Sequence, residues 1–321
     1  MDAVGVQEVV ATMTEQEWLA SDDPRAMLDC LVHRNKAGTI SSEKNLEKNG
    51  VTDRKLRLFA CACCRQIWHL LTDEALCSDC GGRGVRNPSG LHGGTDTCRA
   101  CNYTGRINHS RRAVETAERF ADGKAEDAER SEAHAALFDA NRVDALRKAW
   151  VSVLPESALE VPVLVGRLIQ RAARAGVILA VQAALLRDIF GNPFHLATAE
   201  SVTGTGEPVD FYQWLAWHNG AIPKLARAVY GERPTCRRCD GDGLAHGADR
   251  PFVWSGPGSY PGLCPVCKGF GTIPLDAGRL AVLADMLEEA GCSDADLLNH
   301  LRGPGPHVRG CWVLDLLLGR A

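Results

Sequence analysis

Apolar positions along this chain recur mostly at three- and four-residue steps. In Arg54–Glu74, Leu56, Phe59, Cys63, Ile67 and Leu70 share one face, which predicts one long helix. A second helix is predicted from Ser110, as N-cap, to Gly123, with Ala113, Val114, Ala117, Phe120 and Ala121 on its apolar side. The pattern continues over Asp139–Val151. Val163–Phe190 is apolar nearly all round in its second half, as a central buried helix would be. Phe211–His218 and Ala221–Tyr230 read as shorter helices. Leu280, Leu283, Ala284 and Leu287 form one stripe closed by Gly291 as a C-cap, and Ser293 with Asp296 resembles a capping box for the next helix. "GCWVLDLLLG" closes the chain. Strand-like alternation is scarce, so the predicted body is an all-α helical bundle.

Two stretches break this rhythm, and both are rich in cysteine and glycine. The first holds Cys77, Cys80, Cys98 and Cys101; the second holds Cys236, Cys239, Cys264 and Cys267. Each is a CxxC pair followed by another, 17 residues apart in the first stretch and 24 in the second. A CxxC turn bends two sulfurs onto one ion, and two such turns complete the tetrahedral four-thiolate shell that suits zinc. The expectation is two Zn2+ per chain, one for each set. A redox reading would need a single CxxC at a helix N-terminus on a βαβ frame, and no such frame is visible. Both stretches fall between helices, where connections are usually short, so they read as metal-ordered insertions. The expected organisation is a helical body, 1–76, 110–232 and 275–321, with small zinc-bound β-hairpin modules inserted at 77–109 and 233–274.

Composition agrees with a folded protein, at 45% hydrophobic and 24% charged residues. The N-terminal stretch lacks the basic and apolar regions of a signal peptide. The longest apolar-rich run, Ala175–Leu186, is too short to span a bilayer. A cytoplasmic protein without membrane contacts is therefore expected, and its fourteen cysteines point to metal binding or core packing rather than disulfides.

The cysteine stretches resemble the zinc domain of DnaJ-type chaperones, whose repeat is CxxCxGxG. "CSDCGGRG" from Cys77, "CRRCDGDG" from Cys236 and "CPVCKGFG" from Cys264 carry the repeat in full; "CRACNYTG" from Cys98 keeps only its last glycine. The repeats are split into two pairs, and the chain holds no His-Pro-Asp triplet. The resemblance therefore implies a zinc-held hairpin used twice, outside the chaperone cycle. The body, through "KLRLFACACCRQIWHLLTDE", "LLRDIFGNPF" and "LADMLEEAGCSDADLLNHLRGPGPHVRGCWVLDLLLG", resembles an uncharacterised all-helical family of planctomycete bacteria. That resemblance implies architecture and assigns no activity.

Of the remaining cysteines, Cys61 and Cys64 lie one helical turn apart and could reach one ion. With Cys292, Cys311 and His307, and with His69 or His300 as further ligands, they are candidates for a third metal site. Burial in the core is the alternative for each of these thiols. The Gly/Pro-rich stretch from His300 to Trp312 reads as a tight connector or a functional loop.

No GxSxG, HExxH or P-loop pattern occurs, and the GxG in Thr203–Glu207 follows no strand. The chain thus reads as non-enzymatic, with an unrecognised site in the helical body as the enzymatic alternative. Net charge is -4, but residues 77–110 and 233–273 each carry +2, so the inserts are mildly basic on an acidic body. Arg83, Arg86, Arg237 and Arg238 could meet phosphates, and Phe252 and Trp254 lie midway between the cysteine pairs of the longer insert. A charge of +2 is small for a nucleic-acid module. The expected partner is a protein held through Phe252 and Trp254, with nucleic acid as the alternative.

Overall fold

The computed structural model describes residues 13–33, 50–66, 68, 74–77, 79–83, 98, 101, 105–139, 179–195, 211–231, 235–241, 243–245, 264–267, 270–273 and 275–320. This part of the chain is largely helical. Its helices are α1 (Glu15–Ala20), α2 (Pro24–His33), α3 (Asp53–Gln66), α4 (His109–Ala121), α5 (Asp127–Asp139), α6 (Leu179–Phe190), α7 (Phe211–Gly231), α8 (Ala277–Glu289), α9 (Ala295–Arg302) and α10 (Trp312–Leu317). Two short strands, β1 (Glu74–Leu76) and β2 (Arg106–Asn108), pair antiparallel, with Ala75 opposite Ile107. Among the described residues, no helix is long and apolar enough to cross a membrane.

Two compact units result. The first is built from 1–59, 178–232 and 275–321, and the second from 60–177 and 233–274. The boundary at Phe59 and Ala60 falls inside α3.

In the first unit, the C-terminal helices supply most of the core. Leu280, Leu283, Ala284 and Leu287 of α8 are fully buried, as their spacing predicts, against Leu297 and Leu301 of α9 and Val313 and Leu314 of α10. Trp214, Ile222, Ala226 and Val229 of α7 complete that cluster. The chain turns through positive φ at His218, Asn219 and Gly220, which divides α7 close to the break expected between His218 and Ala221. At the N-terminal end, a capping box of Thr14 and Glu17 starts α1. Trp18, fully buried, donates its indole N–H to the Gly191 carbonyl at 3.2 Å, just past the end of α6. Arg187 of α6 returns hydrogen bonds to the carbonyls of Trp18 and Ser21. The periodicity gave no notice of α1 and α2, which are short.

A bidentate ion pair sits within this unit. Arg54 contacts both oxygens of Asp315, at 2.5 and 2.9 Å, and also donates to the Tyr230 hydroxyl at 2.7 Å. It thereby joins the start of α3 to α10 and the end of α7.

In the second unit, α4 packs beside α5 and starts two residues earlier than predicted. The cap is Asn108, the last residue of β2, whose side chain accepts from the Arg111 N–H at 2.8 Å. Ser110 is instead buried. Its other limit holds, since Gly123 takes the left-handed conformation just past the helix. Ala113, Val114 and Ala117 of α4 are buried, as are Cys61, Cys63 and Cys64 of α3. Arg65 and Glu118, both buried, form a second bidentate pair at 3.1 and 2.9 Å. The helix predicted to run to Glu74 stops at Gln66, and Glu74 already belongs to β1. Residues 140–178 lie outside the described set, so all but the first residue of Asp139–Val151 and the first part of Val163–Phe190 do as well.

Asp315 is 1% exposed, and its loss would take the buried anionic partner from the guanidinium of Arg54. Removing one partner of a buried pair typically costs about 3–5 kcal/mol. Asp315→Ala should destabilise the first unit by about 3 kcal/mol in urea unfolding; a change below about 1 kcal/mol would show that the pair contributes little.

Candidate metal centres

The two cysteine stretches close in the same way. Cys77 donates its N–H to the Gly105 carbonyl, and Cys236 donates to Gly271, both at 2.9 Å. Gly82 donates back to Cys77, and Gly241 to Cys236, both at 3.1 Å. In each stretch two glycine backbones therefore cross beneath the cysteines. A Cβ on Gly105 would lie 2.1 Å from the Gly82 oxygen, and one on Gly271 would lie 2.4 Å from the Gly241 oxygen. No side chain fits at either crossing. This accounts for the degenerate repeat at Cys98: the glycine it keeps, Gly105, is the one the crossing requires. The residue before each first cysteine lies against the crossing as well. Leu76 approaches Gly82, and Thr235 approaches Gly241. At their base, β1 and β2 close the first stretch, and a single antiparallel bridge between Thr235 and Thr272 closes the second.

The crossings gather the sulfurs. Cys77 and Cys98 lie 3.8 Å apart, and Cys80 and Cys101 lie 3.7 Å apart. Cys236 and Cys264 are 3.8 Å apart, and Cys239 and Cys267 are 3.6 Å apart. A disulfide would need about 2.05 Å. Sulfurs 2.3 Å from a tetrahedral zinc lie about 3.8 Å from one another. Within each set the four sulfurs lie within 4.8 Å of one another, and no cysteine is more than 5% exposed. Both sets can hold zinc in a closed shell of four thiolates.

Backbone amides favour the thiolate form that the metal needs. The amides of Asp79 and Cys80 point to Cys77, and those of Val266 and Cys267 point to Cys264. Gly243 donates to the Cys239 sulfur at 3.3 Å, and Gly105 occupies the corresponding place at Cys101. Desolvation nonetheless pushes Cys77 and Cys239 up, and Cys101 up to about 12. At Cys264, desolvation is outweighed by the amides and the neighbouring thiols, and its pKa falls below the usual thiol value. A divalent cation at the centre overrides such costs, because it deprotonates its thiol ligands outright.

Trp68 fastens the second set within its unit. Its indole N–H donates to the Gly241 carbonyl at 2.6 Å, and its ring lies where a Cβ on Gly271 would be. The Arg65 guanidinium covers the ring at 3.9 Å from its centroid, and Arg111 donates to the Trp68 carbonyl at 3.1 Å. Sequence reasoning passed over Trp68 because it fell inside the helix predicted to continue to Glu74.

The candidate third site is differently composed. Among the described residues, Asp188, His300, His307 and Cys311 bring four ligand atoms within 4.8 Å. Cys61, Cys64 and Cys292 do not join them. Cys61 faces the Val114 carbonyl at 3.8 Å, Cys64 is buried within the second unit, and Cys292 belongs to the helical core of the first. Desolvation raises the Cys64 thiol well above its usual value, and raises Cys292 to about 11, as suits packed thiols. Asp188 escaped the sequence reading although it lies within "LLRDIFGNPF". Burial opposes its charge, but hydrogen bonds from His300 and His307 hold its carboxyl below the usual range.

Arg83 is exposed and donates from Nε to the Cys80 carbonyl at 3.1 Å. Arg237 and Arg238 are exposed beside Cys236. His69, Arg86, Phe252 and Trp254 lie outside the described residues. Compared with family models, curated proteins and solved structures, the chain matches none.

Two variants separate the crossing from ordinary glycine strain. Gly81 also has positive φ, but a Cβ there meets nothing within 4 Å. Gly81→Ala should cost about 1 kcal/mol and keep its zinc. Gly105→Ala should cost the first set its zinc, as elemental analysis would show; full retention would mean that the crossing is dispensable. Trp68→Phe removes the donor to Gly241 while keeping a ring. It should leave zinc content unchanged and speed amide exchange across 236–241, and unchanged exchange would show that Trp68 is not the fastening.

Proposed function

We propose that the protein is a non-enzymatic zinc protein of the cytoplasm, in which two small zinc-held hairpins serve as a binding module for a protein partner. The observation that carries this reading is the closure of both four-thiol sets. Every sulfur is buried, so a zinc ion there has no open position for water or substrate and its role is structural. The absence of a nucleophile or hydrolase motif in the sequence points the same way.

Support for binding comes from the residues that the modules expose. Leu76 is 68% exposed at the base of the first, and Val266 is 50% exposed inside the second CxxC turn of the other. Exposed apolar side chains on a rigid scaffold are suited to a protein surface. In sequence, Phe252 and Trp254 add two aromatic side chains between Cys239 and Cys264. In the first unit, an enzymatic alternative has the cluster around Asp188 to draw on, but three of its four residues are buried.

The second reading, nucleic-acid binding, is favoured by Arg83, Arg237 and Arg238, which stand exposed beside the thiol sets. The two readings respond differently to salt. Phosphate contacts release counterions, so affinity for nucleic acid falls steeply as salt rises.

Nuclease-treated affinity purification from native extract, repeated with Trp254→Ala, tests the proposal. A defined protein should be retained at 0.3 M salt and be lost with Trp254→Ala, while zinc content and melting temperature stay unchanged. Retention of nucleic acid instead, lost on salt elution and with Arg237→Ala plus Arg238→Ala, would overturn the protein-binding reading. A large fall in melting temperature for Trp254→Ala with the partner still captured would make Trp254 a structural anchor.

A further inference from the structure

The Gly/Pro-rich stretch from His300 to Trp312 meets the end of α6 at one buried point. Asp188 Oδ1 lies 3.1 Å from His300 Nε2 and 3.2 Å from His307 Nδ1. The same His300 nitrogen lies 3.2 Å from the Cys311 sulfur. Asp188 is 2% exposed at its side chain, His307 4% and His300 18%, and Cys311 is fully buried. These residues come from the last turn of α6, the last turn of α9, the loop that follows, and the N-cap of α10.

Hydrogen bonding alone leaves this cluster poorly matched. His307 Nε2 faces the Gly303 carbonyl at 3.1 Å, and a carbonyl can only accept, so that nitrogen carries a proton. In the neutral ring Nδ1 is then a bare acceptor, and it faces a carboxylate oxygen, which is also an acceptor. His300 Nε2 addresses an oxygen and a sulfur together, although a ring nitrogen has one proton to give. Either a second proton on His307 or a metal ion among these atoms resolves that mismatch. A cysteine–histidine–aspartate relay is a poor description, because a relay uses the two ring nitrogens separately and here one nitrogen makes both contacts.

We propose that Asp188, His300, His307 and Cys311 form a third metal centre, which takes one zinc ion in a closed, four-coordinate structural site. Ligand atoms on a tetrahedral zinc lie about 3.3 Å apart for nitrogen and oxygen and about 3.5 Å apart for nitrogen and sulfur. The three separations fall within a few tenths of an ångström of these. Two imidazoles, a carboxylate and a thiolate are zinc donors, and the two anionic ligands balance the ion with no charge left buried. The supporting shell is in place: Gly303 fixes the His307 tautomer, and the Val308 N–H donates to Asp188 Oδ2 at 2.8 Å. The ion would tie the ends of α6 and α9 to the start of α10.

The test is zinc analysis with X-ray absorption on the full chain, reconstituted with zinc under reducing conditions. The proposal expects three zinc per chain and a spectrum with about one nitrogen or oxygen for every three sulfurs, including imidazole outer-shell scattering. His307→Ala should remove one zinc and leave a spectrum of sulfur alone. Two zinc per chain with only sulfur in the wild type overturns the proposal without any variant, as does a nitrogen signal that survives in His307→Ala. Failure of the four-thiol sets is seen separately, as loss of sulfur scattering with the imidazole signal retained.

Discussion

Two glycine backbones cross under each set of four thiols, at a separation that admits no Cβ. That crossing fixes where the cysteines sit, since the N–H groups and carbonyls that bond across it belong to the first cysteine and the two glycines themselves. Sulfurs drawn together so closely pay a desolvation cost as bare thiolates, and an ion at their centre reverses it. Zinc bound in small structural sites is worth about 10–16 kcal/mol, which exceeds the few kcal/mol of entropy lost in closing a loop of this kind. Among the described residues, the buried cluster at each set consists of its cysteines, with Ile107 packed on one and Ile273 on the other.

The helical parts use a different device. Their stripes are ordinary, but several helix ends are set by buried polar groups. Arg54 with Asp315 and Tyr230 fixes the start of α3, and Arg65 with Glu118 fixes its end against α4. Asp188 gathers His300 from the end of α9, and His307 and the Val308 amide from the loop that follows. Each is costly to bury unless its partners are in place, so each selects one helix arrangement over its neighbours.

How far this could be read in advance follows from the range of the signal. CxxC spacing is local, so both four-cysteine sets were legible in the sequence. The stripe of α8 and the division of α7 were legible too, because periodicity and turn residues act over a few positions. Helix ends were less so. The apolar spacing of Ile67 and Leu70 would have continued α3, but Trp68 answers to Gly241, 173 residues away, and no periodicity encodes that. The third cluster was half legible. His300, His307 and Cys311 fall within one short stretch of sequence, whereas Asp188 lies 119 residues before His307 and looks like any helical aspartate. Cys61 and Cys64, one helical turn apart, have a ligand-like spacing but are core residues.

The central claim is that zinc, held by eight cysteines in two sets, orders both stretches. Mass-spectrometric mapping of cysteine alkylation, before and after chelation, tests it most directly. Cys77, Cys80, Cys98, Cys101, Cys236, Cys239, Cys264 and Cys267 should resist alkylation in the zinc-loaded protein and become reactive together within each set once the chelator is added. Cys61, Cys63 and Cys64, protected by helix packing, should stay unreactive throughout. Alkylation of the eight before chelation, or protection that persists after all zinc is removed, would contradict the account.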